Sequence, residues 1–144
     1  MTWAYFDTSA LVTRYVDEAG RREVLQLLRR HLCVTSVVIS VEFRSALRRH
    51  AIDGSLDARR IPEILRRFAA DREFWALVEV TGEVLDAAER LVAGHPLRTL
   101  DAIHVASSQL FAARLVSQVT FVSADARQAA AASAVGLPTR IIAL

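Results

Sequence analysis

The sequence predicts an α/β fold, a three-layer α/β/α sandwich around a central, mostly parallel sheet of about five strands. Short apolar runs of strand length alternate with amphipathic stretches of helix length, and parallel neighbours need crossover connections of that kind. A chain of 144 residues, 53% of them hydrophobic, also suits one domain over residues 1–144, able to bury roughly two thirds of its unfolded surface.

The elements follow in order. Trp3 to Phe6 is a first apolar strand, and Asp7-Thr8-Ser9 supplies N-cap chemistry for a helix reaching about Val16. Gly20 precedes an amphipathic helix with Val24, Leu25, Leu27, Leu28 and Leu32 inward, and Cys33 to Ser36 is a second strand. A third helix, about Val38 to Ile52, stops at Asp53-Gly54, where glycine accepts the left-handed conformation. A fourth runs from about Asp57 to Ala70 with Pro62 in its first turns, so the pair forms a helical hairpin after the second strand. Trp75 to Val80 is the third strand. Thr81 caps a helix to Ala93 that Gly94-His95-Pro96 ends. Thr99 caps the helix containing Asp101 to Leu115, Thr120 to Ser123 is the fourth strand, Asp125 opens the last helix, and Arg140 to Ile142 is a short fifth strand.

Composition removes several function classes. All eighteen basic residues are arginine, which excludes a mechanism built on a catalytic lysine. Residues 1–72 hold thirteen arginines against nine acids and residues 73–144 five against seven, so the first half is +4 and the second −2. Five arginine pairs in the basic half, Arg48-Arg49 among them, read as solvated helix faces or as a rim for phosphates, to which the guanidinium fork is matched. The single cysteine, Cys33, reads as a small buried hydrophobe. No apolar run approaches the ~18 residues of a membrane span, and Met1 to Phe6 shows neither a basic leader region nor a cleavage site, so the expected setting is cytoplasmic, without membrane association.

Four acids carry the chemistry. Asp7, Glu42, Asp101 and Asp125 each sit among apolar neighbours at the edge of a strand or helix, where a buried unpaired charge would cost several kcal/mol, on the order of measured penalties. A shared cation would compensate them. Carboxylates without cysteine or closely spaced histidines select hard, oxygen-preferring ions, Mg²⁺ or Mn²⁺. Asp7 and Asp125 follow strands at their carboxyl ends, where open α/β sheets bind ligands. Asp101 and Asp125 also have an ordinary role as helix N-terminal acids. His104, three residues after Asp101 on nearly the same helix face, reads first as a packed or rim histidine and second as a ligand or proton donor. Phe68, Phe74 and Trp75 read as core, with a base-stacking platform as the alternative.

These residues stand in motifs that resemble the PIN domain of VapC-type toxins. Tyr5-Phe6-Asp7-Thr8-Ser9-Ala10-Leu11-Val12 is close to the family's opening pattern of an apolar residue, Asp, Ser or Thr, Ser or Asn, Ala and Leu. Glu42 matches in Ser40-Val41-Glu42-Phe43-Arg44-Ser45-Ala46-Leu47, Asp101 in Leu97-Arg98-Thr99-Leu100-Asp101-Ala102-Ile103-His104-Val105-Ala106, and Asp125 in Phe121-Val122-Ser123-Ala124-Asp125. The resemblance covers essentially the whole chain. It implies a PIN-like sandwich and an Mg²⁺- or Mn²⁺-dependent endoribonuclease, the toxin of a toxin–antitoxin pair, with Asp7, Glu42, Asp101 and Asp125 as catalytic and metal-holding residues. It further implies one or two ions that lower the pKa of a bound water, a VapB-like antitoxin as partner, single-stranded or loop RNA as substrate, and homodimerisation. Thr8, Ser9 and Ser123 are expected to hydrogen-bond the acids, and Arg48, Arg49 and Arg98 to guide the RNA backbone. The first two helices carry Leu11, Val12, Tyr15, Val16, Leu25 and Leu28, more apolar surface than one short helical layer gives to the core, so some of these are expected to form an apolar groove for the antitoxin.

Competing chemistries fail on particular positions. A haloacid-dehalogenase-type phosphatase needs a second acid two residues after the first and a lysine, yet position 9 is Ser9 and no lysine exists. A phospho-acceptor receiver lacks the same lysine. Gly20, Gly54, Gly82, Gly94 and Gly136 are isolated, so there is no phosphate-cradling loop and no nucleophile elbow. The remaining alternative is a PIN-like RNA-binding or interaction module without catalysis.

Overall fold

The computed structural model describes residues 1–144. Five strands, β1 (Thr2–Phe6), β2 (His31–Ser36), β3 (Ala76–Val78), β4 (Thr120–Ser123) and β5 (Thr139–Ile141), form one sheet in the order β3-β2-β1-β4-β5. Every pairing is parallel. The order reverses between β1 and β4, which places the ligand-binding crevice of this topology outside the carboxyl ends of those two strands.

Alternation along the central strands separates two cores. Ala4, Phe6, Cys33 and Val122 face α1 (Thr8–Val12), α2 (Arg21–Arg30), α3 (Ile39–Ile52) and α4 (Ile61–Arg72), while Tyr5, Val34 and Phe121 face α5 (Gly82–Gly94), α6 (Thr99–Leu115) and α7 (Ala126–Ala134). Both faces are covered, and that is why the central strands are apolar at successive positions. The first core is anchored by Phe43 stacked on Phe68 with ring centroids 4.1 Å apart, and the second by Tyr5 stacked on Phe121 at 5.5 Å. No helix is long and apolar enough to cross a membrane.

Several expected boundaries move for local reasons. The first helix ends at Val12 instead of Val16, because the Thr13 hydroxyl donates back to the Ala10 carbonyl at 2.7 Å and the chain continues in tighter turns. Helix four is preceded by a separate 3₁₀ turn, Ala58–Arg60, capped by Asp57. The third strand shrinks to Ala76–Val78, since Trp75 turns into the first core against Phe68. Thr99 is the first residue of α6 and not its cap: Asp101, inside the helix, reaches back to accept from the Arg98 N–H at 3.3 Å. Phe68 and Trp75 belong to the core, whereas Phe74 is 88% exposed.

The apolar surplus expected of the first two helices lies in the second. Leu11, Val12, Tyr15 and Val16 are fully buried, because α1 and the turns after it are covered by α3 and α4 and have no outward apolar face. Only Leu25 and Leu28 reach a surface hollow, shared with Leu32, Phe74 and Trp75. Geometry calls for glycine at position 136, where φ is +90°, and at two further positions. Gly54 has φ +83° at the end of the helix-three turn, and a Cβ on Gly20 would lie 2.2 Å from the Ile142 methyl group.

Val116 closes α6 at φ 50°, ψ 44°, a left-handed conformation that a β-branched residue adopts at a cost of about 1–2 kcal/mol. Its side chain is 91% exposed and gains no packing in return. Val116→Asn is therefore expected to stabilise the fold by about 1 kcal/mol. The urea midpoint should rise at unchanged slope; an unchanged or lower midpoint contradicts this.

Candidate active site

Along the carboxyl edge of the parallel sheet β1, β2 and β4 each hand the chain to a helix, which places Asp7, Glu42 and Asp125, and Asp101 joins them from α6, which follows α5. Asp7 follows β1 as the N-cap of α1, Glu42 lies in the first turn of α3, Asp101 in the first turn of α6, and Asp125 follows β4 as the N-cap of α7. The positive ends of the helix dipoles face the crevice, which favours anions there. A cleft of about 270 Å³ is lined by Glu42, Asp101 and Asp125 together with Thr8, Ser9, Glu18, Arg49, His50, His104 and Gln128.

Asp7 lies beneath this cleft, fully buried. One carboxylate oxygen accepts from the Ser9 hydroxyl at 2.7 Å and the Ala10 N–H at 2.9 Å, and the other accepts from the Ser123 hydroxyl at 2.5 Å. The Ser9 hydroxyl in turn takes the Ala124 N–H at 2.9 Å, tying the ends of β1 and β4 together. Burial pushes the Asp7 carboxyl above the usual carboxylate range, against the opposing influence of His104 and these hydrogen bonds.

The Glu42 carboxylate accepts from the Thr8 hydroxyl at 2.8 Å and meets His104 Nε2 at 2.5 Å. A carboxylate only accepts, so the imidazole presents Nε2–H to it and leaves Nδ1 to the Tyr5 hydroxyl at 2.7 Å. Tyr5 and His104 are both buried. The result is a hydrogen-bonded bridge over the end of β1 that joins the α6 layer to the α3 layer. Burial works to raise the Glu42 carboxyl, but the His104 contact, the Thr8 hydroxyl and the Arg49 charge outweigh it and hold the group below the usual range.

Asp101 is half-buried. Its carboxyl is raised by burial first, opposed by the Arg98 N–H, and raised further by the charge of Asp125. Gln128 Nε2 donates to its Oδ1 at 2.9 Å. Asp125 accepts from the Arg127 N–H at 2.9 Å as a helix cap. The expectation of four buried charges thus holds fully for Asp7 alone; the other three acids are partly open to the cleft.

The donor set has the chemistry of a hard divalent-cation site. Carboxylate and hydroxyl oxygens converge, Cys33 is in the first core, and the crowding of Asp101 against Asp125 is what a cation would relieve. The side chains are turned toward protein donors, so no three acidic or histidine groups form a closed ligand cluster. Thr8, Ser9 and Ser123 all bond the acids as expected. The arginine pair divides: Arg49 lines the cleft, whereas Arg48 lines a separate groove with Leu47, Ile52 and Leu65. Arg98 is exposed beside Asp101. Gln128, Glu18 and His50 were not legible as site residues. Glu18 sits in a turn without a motif and pairs with His50 at 3.2 Å, while Gln128 lies one helical turn after Asp125, the only signal that could have found it.

The PIN domain family profile matches residues 4–135, and the chain belongs to that family. PIN domains are generally nucleases, usually dependent on divalent metals. Among solved structures, a toxin–antitoxin complex from Klebsiella pneumoniae is similar in fold, with a TM-score of 0.56, 17% identity, and coverage of 81% of this chain and 83% of that one. No curated protein matches the sequence.

Because ionised Asp7 is disfavoured in the folded state, its raised pKa destabilises the cation-free protein at neutral pH and ceases to do so as the carboxyl protonates. Asp7→Asn is expected to melt at higher temperature than the unaltered chain at pH 7 in EDTA, with the two melting temperatures converging on acidification. Equal melting at pH 7, or a gap that widens toward low pH, contradicts the assignment.

Proposed function

We propose that the protein is a metal-dependent endoribonuclease that cleaves single-stranded or loop RNA by attack of water, acting as a VapC-type toxin. The observation that carries this reading is the set of carboxylates, one buried and two mutually repelling, at the switch point of a PIN domain. Mg²⁺ or Mn²⁺ is the cation that suits these oxygens; bound there, it would supply Lewis acidity and neutralise charge developing on the phosphate. Asp7, Glu42, Asp101 and Asp125 are its proposed holders. Thr8, Ser9 and Ser123 fix the orientation of Glu42 and Asp7 through the bonds described above. Arg49 on the cleft wall and Arg98 at its rim bind backbone phosphates and set the strand against the acids, and Arg48, facing another groove, extends that track or binds elsewhere on the partner. No side-chain nucleophile is needed.

A cellular ribonuclease requires restraint, and the fold shared with a subunit of a toxin–antitoxin complex supports a VapB-like antitoxin as the partner. A basic antitoxin side chain entering the cleft would satisfy the same carboxylates as a cation. Homodimerisation and a cytoplasmic setting belong to the same reading, as does a chain that folds as one domain.

Purified free of any partner, the chain is expected to cleave single-stranded RNA with Mg²⁺ or Mn²⁺ and not in EDTA, leaving 5′-phosphate and 3′-hydroxyl ends. Asp101→Asn should reduce turnover by more than the ~10–100-fold typical of groups that only support a metal ligand. Arg49→Ala should weaken RNA binding and lower its salt slope by about 0.7. Cleavage in EDTA, cyclic-phosphate products, or an undiminished Asp101→Asn variant would sink the proposal. RNA binding without cleavage under all metal conditions would establish the alternative, a non-catalytic module.

A further inference from the structure

Gln128 is the one polar residue of the cleft whose hydrogen bonding is incomplete by necessity. It is 5% exposed, projects from α7 into the cleft shared by Asp101 and Asp125, and donates from Nε2 to Asp101 Oδ1 at 2.9 Å. Asp101 Oδ1 belongs to an acceptor-only carboxylate, so the amide cannot be turned around; its NH₂ must face Asp101. The amide oxygen is consequently committed to the other side, where it is buried with no protein donor. A buried acceptor without a donor costs about 1–3 kcal/mol, and alanines occupy α7 on both sides of this position, at Ala126, Ala129, Ala131 and Ala132, so an apolar residue would suit the helix equally well. Packing alone does not account for glutamine here.

We infer that Gln128 is a positioning residue of the cation site, its NH₂ fixing the Asp101 carboxylate from within the protein so that Asp101 is set to meet a divalent cation beside Asp125. Asp101 is then held from two sides, by Gln128 on Oδ1 and by the Arg98 N–H on Oδ2, so its orientation does not depend on the cation being present. Gln128 therefore acts through Asp101 and not on the ion itself.

The inference rests on the metal-dependent reading, and its test separates the two. Mn²⁺ binding to the purified chain is measured by titration calorimetry, together with melting temperature in EDTA and in saturating Mn²⁺. Gln128→Leu, close in volume, should weaken Mn²⁺ affinity about tenfold, the lower end of the range for residues that support a ligand, while melting in EDTA stays level or rises because the orphaned acceptor is gone. Gln128→Met, unbranched like glutamine but unable to donate to Asp101, should weaken Mn²⁺ affinity by a similar factor. A glutamine of purely structural value would instead lower the EDTA melting temperature in both variants and leave Mn²⁺ affinity unchanged, and that result overturns the inference alone. If Gln128→Leu does not fold, Gln128→Met decides, undiminished Mn²⁺ affinity in that variant counting against the inference. An unaltered chain that binds no Mn²⁺ overturns both this and the metal-dependent reading.

Discussion

The burial of Asp7 is the constraint around which the rest of the molecule is arranged. A carboxylate at the end of the central strand, without access to water, is tolerable only if donors surround it. Ser9, Ala10 and Ser123 provide them, and supplying them requires β1 and β4 to be neighbours whose ends are in register. That adjacency is the switch point of the sheet. From it follow the positions of α1 and α7, whose first turns carry Asp7 and Asp125, and of the cleft above them. The hydrogen bonds reduce the cost of the buried charge without removing it, since the carboxyl remains raised. A fold that keeps such a group is giving up stability at this point, which is common where function needs a particular charge.

The fold was legible because its signals are local. Apolar runs of strand length, Asp7, Thr81 and Asp125 as helix caps, and Gly54 at a helix end each rest on a few neighbouring residues, and each holds. The four acids were legible for the same reason, since each sits in its own short motif. What escaped were relations across the chain. Tyr5 and His104 are 99 residues apart, and nothing local in either segment indicates that the histidine joins a tyrosine to Glu42. Gln128 gains meaning only once α7 lies beside Asp101. Which of the apolar residues in the first two helices stay at the surface was not legible, because an amphipathic pattern shows which face is apolar, not how many layers cover it; α3 and α4 cover Leu11, Val12, Tyr15 and Val16 and leave Leu25 and Leu28 at a surface hollow.

The bridge from Tyr5 through His104 to Glu42 gives the site a second fixed point. It spans the two helical layers at the open edge of the sheet, so the acid of α3 and the acid of α6 are held at a set separation by groups that are themselves buried. Arg49 stands on the same wall, and its charge helps to hold the Glu42 carboxyl low. Arg49 and Glu42 come from the basic half of the chain and Asp101 and Asp125 from the acidic half, and all four line the cleft. Such an edge attracts both a cation and a polyanion, which is the combination that metal-assisted phosphodiester chemistry needs.

The central claim is that these carboxylates are arranged around a divalent cation. Crystals of the protein soaked in Mn²⁺ and measured for anomalous scattering test it directly. The account predicts one or two strong peaks in the cleft, within ligand or single-water distance of Asp7, Asp101 and Asp125. An empty cleft at saturating Mn²⁺, with Asp7 still enclosed by Ser9 and Ser123 and Asp101 still bonded only to Gln128 and Arg98, would contradict it.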